Sequence, residues 1–109
     1  MDAREASQLV LDWHDRHLTL SDTRRVVLGT DADADLTVNG RAASRAHAHI
    51  EHRKQYYVLV DHSTNGTYVQ TEDEKVTFVR RGELRLWGNG WIALGEPLSP
   101  ETAIRFRHT

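Results

Sequence analysis

Apolar residues recur at every second position through most of the chain, in short runs broken by polar or Gly-containing segments. Successive side chains of a strand point to opposite faces, so this period predicts strands with one buried face. The pattern places strands over residues 8–13, 17–21, 25–28, 35–38, 47–52, 56–60, 67–70, 75–79, 83–87, 91–94 and 103–107. The run Tyr56-Tyr57-Val58-Leu59-Val60 is aromatic and β-branched throughout, as suits a pleated core. Asp15-Arg16 is the expected turn between the first two strands, and Gly29 ends the third. Asn39-Gly40 and Asn65-Gly66 are strong turn dipeptides, and both prolines, Pro97 and Pro100, fall in one late turn. No segment carries the spacing of an amphipathic helix. About eleven short strands at this spacing predict an all-β sandwich, with function carried by its loops.

Composition narrows the function. At 109 residues, with no linker-like stretch and no repeat, the chain is expected to be a single domain over 1–109. Its 14 Lys+Arg against 16 Asp+Glu give a net charge of −2, which argues against the basic surface that nucleic-acid binding requires. No apolar run approaches the ~18 residues of a membrane span. The polar, acid-containing start Met1-Asp2-Ala3-Arg4-Glu5 does not read as a secretory signal, so a cytoplasmic location is expected. The chain has no Cys, hence no thiol nucleophile and no Cys-based metal site, and no cofactor is expected.

Two loops concentrate chemistry: Arg41-Ala42-Ala43-Ser44-Arg45-Ala46-His47 and Asp61-His62-Ser63-Thr64-Asn65-Gly66-Thr67. Arg offers a planar donor fork to phosphate oxygens, Ser and Thr offer single short donors, and Asn can imitate a backbone amide to an extended peptide. Each loop also has a plainer reading. Asn65-Gly66 is a sufficient hairpin signal by itself, and Ser63 and Thr64 are common turn residues.

Other chemistries fit less well. His47, His49 and His52 lie close in sequence, but a strand that turns Ala48 and Ile50 inward leaves His49 facing solvent, so three convergent imidazoles are not expected. Asp31-Ala32-Asp33-Ala34-Asp35 opens like a calcium loop, yet Leu36 and Ala42 occupy the positions that need Gly and Glu. Ser44, His47 and Asp61 supply the residue types of a hydrolase triad without a nucleophile elbow, and no enzyme activity is expected. Trp13, Trp87 and Trp91 sit in strand patterns and read as core, with one of them the alternative cap of an exposed docking patch.

Taken in order, Leu28-Gly29-Thr30-Asp31, then Ser44-Arg45-Ala46-His47, then Asp61-His62-Ser63-Thr64-Asn65-Gly66-Thr67, then Trp91-Ile92-Ala93-Leu94-Gly95 resemble a forkhead-associated (FHA) domain, over about residues 25–94. The resemblance implies the FHA-type (SMAD/FHA-like) β-sandwich: about eleven strands in two antiparallel or mixed sheets, with first and last strands together. It implies recognition of phosphothreonine in a partner protein. Carried over by position, Ser44 and Arg45 hold the phosphate, Thr64 adds a contact and Asn65 fixes the peptide main chain. His47 braces the loops, while Gly29, Ser63, Gly66 and Thr67 are structural. One position departs from the family pattern: Thr30 stands where the family carries a phosphate-binding Arg, leaving Arg25 or Arg41 to compensate. The segment Arg80 to Ile92 is similar, more loosely, to FHA domains attached to bacterial adenylate/guanylate cyclases. That implies a longer signalling chain, with a cyclase domain as partner in the alternative, phospho-independent docking role.

Overall fold

The computed structural model describes residues 8–21 and 25–109; the polar start Met1 to Glu5 lies outside them. Among the described residues every regular element is a strand: β1 (Leu9–Trp13), β2 (Arg16–Leu20), β3 (Val26–Gly29), β4 (Leu36–Thr37), β5 (Ala48–Arg53), β6 (Tyr56–Asp61), β7 (Thr67–Thr71), β8 (Val76–Val79), β9 (Glu83–Leu86), β10 (Gly90–Leu94) and β11 (Ile104–His108). The eleven elements fall where the alternation places them, with ends moved by a residue or two. The segment 35–38 is cut to two residues of strand.

The strands form two sheets, one of order β2-β1-β11-β10-β7-β8 and one of order β4-β3-β5-β6-β9. All pairings are antiparallel except β3 with β4, and β1 lies against β11, so the first and last strands share a sheet. The core between the sheets follows from period two: Leu9 and Leu11 of β1, Ile50 of β5, Tyr57 and Leu59 of β6, Ile92 of β10, and Ile104 and Phe106 of β11 are buried there. Each such side chain removed from water contributes roughly 1.5–3 kcal/mol before chain entropy is counted. Tyr57 keeps its hydroxyl satisfied by donating to the Leu20 carbonyl at 3.2 Å.

Four expectations are corrected. The β1–β2 turn is His14-Asp15 rather than Asp15-Arg16, with His14 at φ 54°, because Trp13 pairs with Arg16. Asn65-Gly66 does not close a hairpin: β6 and β7 belong to different sheets, so the loop crosses the sandwich. His49 faces outward, as its neighbours require, but is 5% exposed, covered by His62 stacked at 4.8 Å, by Glu51 and by Arg25. Trp87 and Trp91 are not core; they are 59% and 42% exposed, while Trp13 packs against the core from its edge. Trp91 shares the outer face of the six-stranded sheet with Val76 and Phe78, since register aligns Trp91-Gln70-Val76 and Ala93-Tyr68-Phe78.

Candidate functional site

The loops singled out by sequence meet at one end of the sandwich. The β4–β5 loop lies on the end of β3: Thr30 N–H donates to the Ser44 carbonyl at 3.1 Å, and Asp31 N–H to the Arg45 carbonyl at 3.2 Å. This approach requires Gly29. A Cβ there would sit 1.9 Å from the Arg45 carbonyl oxygen and 2.9 Å from that of Ser44. Thr30, Ser44 and Arg45 are thus brought together by backbone contacts, Thr30 and Ser44 half-buried and Arg45 exposed.

The β6–β7 loop is built around a buried carboxylate. Asp61 is 2% exposed and accepts from the Ser63 N–H at 3.0 Å, the Ser63 hydroxyl at 2.9 Å, the Thr67 hydroxyl at 2.6 Å and the Arg81 N–H at 2.9 Å. Burial pushes its pKa up, but these donors together hold it below the usual carboxylate value, so the charge is kept. Ser63 Oγ in turn accepts the Gly66 N–H at 2.7 Å. Gly66 takes φ 87°, and a Cβ on it would lie 2.3 Å from the Phe78 ring. The exposed tip of the loop is Thr64-Asn65.

Two side chains lock the loops together. Asn65 Nδ2 donates to the Ala42 carbonyl at 3.0 Å. His47 is fully buried; its Nδ1 accepts the Ser44 N–H at 2.9 Å and its Nε2 donates to the Gly66 carbonyl at 2.7 Å. A backbone N–H can only donate, so the imidazole is neutral with its proton on Nε2. Burial lowers its pKa, against the weaker pull of the Gly66 carbonyl and Asp61.

Ser44, His47 and Asp61 are not arranged as a hydrolase triad. The Ser44 backbone, not its hydroxyl, reaches His47, and both ring nitrogens are committed to loop structure. Arg25 does not replace the missing cation beside Thr30: it lies at the far end of β3, with its guanidinium 3.1 Å from His49 Nδ1. Two acids of the β3–β4 loop accept backbone hydrogen bonds. Asp31 Oδ1 accepts the Asp33 N–H at 2.9 Å, and Asp35 Oδ2 accepts the Val27 N–H at 2.8 Å.

Sequence reasoning misses Arg80 and Arg81. Arg80 Nε donates to the Thr64 carbonyl at 2.7 Å and Arg81 Nε to the Ser63 carbonyl at 3.0 Å, so both grip the β6–β7 loop. Their place just before Gly82 in a turn is legible in the sequence; the loop they touch is not.

The assembly of strand end, two cross-locked loops and buried carboxylate has a sequence counterpart. A family model for the FHA domain matches residues 26–85. The chain belongs to the FHA domain family. No curated protein matches it in sequence. Solved FHA domains share its fold. FHA-1 of Rv1747 from Mycobacterium tuberculosis matches with a TM-score of 0.74 at 23% identity, over 94% of this chain and 96% of that one. The FhaA FHA domain, solved with the intracellular domain of Rv3910, matches with a TM-score of 0.67 at 28% identity, over 93% and 99%. The MEK1 FHA domain, solved with a phosphothreonine peptide of HOP1, matches with a TM-score of 0.69 at 17% identity, over 91% and 94%.

Proposed function

We propose that this FHA domain is a non-catalytic phosphothreonine-peptide recognition module of cytoplasmic signalling, folded as one unit over residues 1–109 and working within a longer bacterial signalling protein. The supporting observation is the presentation of Ser44 and Arg45 beside Thr64 and Asn65, on loops tied together through His47. A phosphate at neutral pH carries about −1.5 to −2 charge and three strong acceptors. Arg45 answers the charge with a bidentate fork, while the Ser44 and Thr64 hydroxyls and Thr30 supply short neutral donors. Asn65 gives one amide hydrogen to Ala42 and keeps its remaining polar capacity for the main chain of a bound peptide. The loops are set before the ligand arrives, which lowers the ordering cost of binding. The MEK1 domain with its phosphothreonine peptide is a relative by fold that supports the same reading.

A second reading rests on a separate observation. Val76, Phe78 and Trp91 are 50%, 49% and 42% exposed on one sheet face, and Thr30 weakens the phosphate side of the site. In that reading the domain docks on a neighbour independently of phosphate, a nucleotide cyclase domain of the same parent chain being the proposed partner.

The test is a fluorescence titration with degenerate peptides in phosphothreonine, phosphoserine and unphosphorylated sets. Selective binding of the phosphothreonine set, abolished by Arg45→Ala, is the expected result. Equal binding of all sets overturns the first reading. The second then predicts loss of association on substitution of Trp91 or Phe78.

A further inference from the structure

We propose that the Arg80–Arg81 turn is a second anion-recognising contact beside the β6–β7 loop, which makes the domain select phosphothreonine peptides carrying a further negative group, a carboxylate or a second phosphate. The inference rests on the phosphopeptide reading of the loops and adds to it what the ligand must contain.

Several arginines of the molecule are held by carboxylates or aromatic rings. Arg53 bridges Glu51 at 2.7 Å and Glu83 at 2.7 Å, and Arg107 meets Asp12 at 3.0 Å. The Arg85 guanidinium lies 3.5 Å from the centre of the Trp87 ring and 4.3 Å from that of Tyr56. Arg16, Arg41 and Arg45 also have no carboxylate partner among the described residues, but Arg80 and Arg81 are set apart by their anchoring. Each is fixed through Nε to a loop carbonyl, and among the described residues neither has a carboxylate partner. Asp61, which accepts the Arg81 N–H, is also filled by Ser63 and Thr67, and Glu83, two residues on from Arg81, is held by both terminal nitrogens of Arg53. Two adjacent exposed cations repel one another, and a shared anion removes that repulsion.

The pair opens the short connection between β8 and β9. Arg81 sits at φ 56°, a conformation that suits Gly or Asn far better than a long side chain. His14, Lys54 and Glu74 take the same conformation at their own turns, so at Arg81 it marks the turn that carries the pair. Anchoring through Nε also orders each guanidinium while leaving its terminal nitrogens, the pair that forms a fork with carboxylate or phosphate. Because the anchors are the carbonyls of Ser63 and Thr64, the forks lie next to the residue expected to touch the phosphothreonine.

The experiment uses synthetic peptides of one sequence in four forms: unphosphorylated, phosphothreonine with neutral flanks, phosphothreonine with Glu added on either side, and doubly phosphorylated. Binding is read by fluorescence anisotropy for the wild type, R80Q/R81Q, and R16Q as a distant arginine control. The wild type and R16Q are expected to bind the Glu-bearing and doubly phosphorylated forms about five- to tenfold more tightly than the neutral phosphopeptide, as an added charge-assisted contact gives. In R80Q/R81Q the three phosphorylated forms become equal, at the wild-type affinity for the neutral one. The two anionic forms separately report carboxylate and phosphate as the source. R80Q alone, which leaves the Arg81 turn and its Asp61 bond in place, carries the test if the double variant loses thermal stability. Persistence of the preference in the variants, or an equal loss across all phosphorylated forms, overturns the inference. Selective binding of the neutral phosphopeptide with no gain from added charge overturns the inference while the phosphopeptide reading stands. Failure to discriminate any phosphorylated form from the unphosphorylated one removes both.

Discussion

His47 Nε2 donates to the Gly66 carbonyl at 2.7 Å while its Nδ1 accepts the Ser44 N–H, so one ring sets the separation of the two loops. Protonation would turn Nδ1 from acceptor to donor against that N–H. Burial holds the folded-state pKa below its ordinary value, and His49 is shifted the same way, also by burial first. For such groups the unfolded chain takes up protons that the native state refuses. Their stabilising contribution is therefore complete above the unfolded pKa of about 6.5 and is lost as pH falls from there toward the folded values. Urea denaturation is expected to give lower stability at pH 5.5 than at pH 7.5, with a slope approaching ~1.4 kcal/mol per pH unit for each group. His47→Ala should cost about 2–4 kcal/mol and flatten part of that slope. A wild-type stability that does not change over this range would contradict the neutral-His47 assignment.

Gly29→Ala tests the contact of β3 with the β4–β5 loop. The added methyl meets backbone atoms of Arg45 at 1.9 Å and 2.6 Å, and backbone cannot rotate away as a side chain can. The loop must lift, stretching the Thr30–Ser44 and Asp31–Arg45 bonds. A loss of about 1–3 kcal/mol is expected, with amide shifts confined to residues 29–31 and 43–47 in NMR spectra. Shifts spread through the core instead would mean that β3, not the loop, gives way.

Asp61→Asn replaces an all-acceptor group by one that must place an NH2 among four donors. With the site closed to water, the expected cost is about 2–4 kcal/mol. Thr67→Val, which removes one donor and leaves the carboxylate with the other three, should cost about 1–2 kcal/mol. Thermal unfolding ranks the two; the reverse order would show that the Thr67 hydroxyl, not the carboxylate, organises the loop.

What is legible in the sequence divides along a physical line. Strand positions are readable because Leu9/Leu11 and Ile104/Phe106 repeat at the period of the pleat, and that period is local. The membership of each strand in a sheet is not, since β6 and β7 flank a strong turn dipeptide yet pair with different partners. The loop residues stand out by composition, and the order of the FHA motifs places them, but their bonds are long-range. Nothing near Asn65 says that it reaches Ala42, and nothing near Arg80 says that it holds Thr64. His49 and Trp91 depart from expectation for one reason: alternation gives the face of a sheet, not what covers it. His62, Glu51 and Arg25 cover His49, whereas Trp91 is left 42% exposed.

Lys54 offers a prediction of opposite sign. It occupies the first position of the two-residue turn between Arg53 and Tyr56, at φ 54°, and it is exposed. Gly adopts this conformation without a steric penalty. Lys54→Gly should therefore raise stability by about 0.5–1 kcal/mol, net of the greater freedom Gly has in the unfolded chain. A lower melting temperature for this variant would show that the Lys54 side chain makes a stabilising contribution at the hairpin.

Thr30→Arg restores the cation that the family pattern carries at this position. The side chain of Thr30 is half-exposed and its backbone N–H is already bound to Ser44, so a longer residue enters solvent beside Ser44 and Arg45 without disturbing the ladder. An arginine there adds a charge-assisted bond to the phosphate, where threonine gives one neutral donor. At about 1.5–3 kcal/mol for such a bond, affinity for a phosphothreonine peptide should rise roughly ten- to a hundredfold, with no change for the unphosphorylated peptide. Isothermal titration at two salt concentrations checks both points, because the gain should shrink as salt rises. A Thr30→Arg variant that binds the phosphopeptide no better, while folding as the parent does, would place the phosphate away from the end of β3 and remove Thr30 from the site.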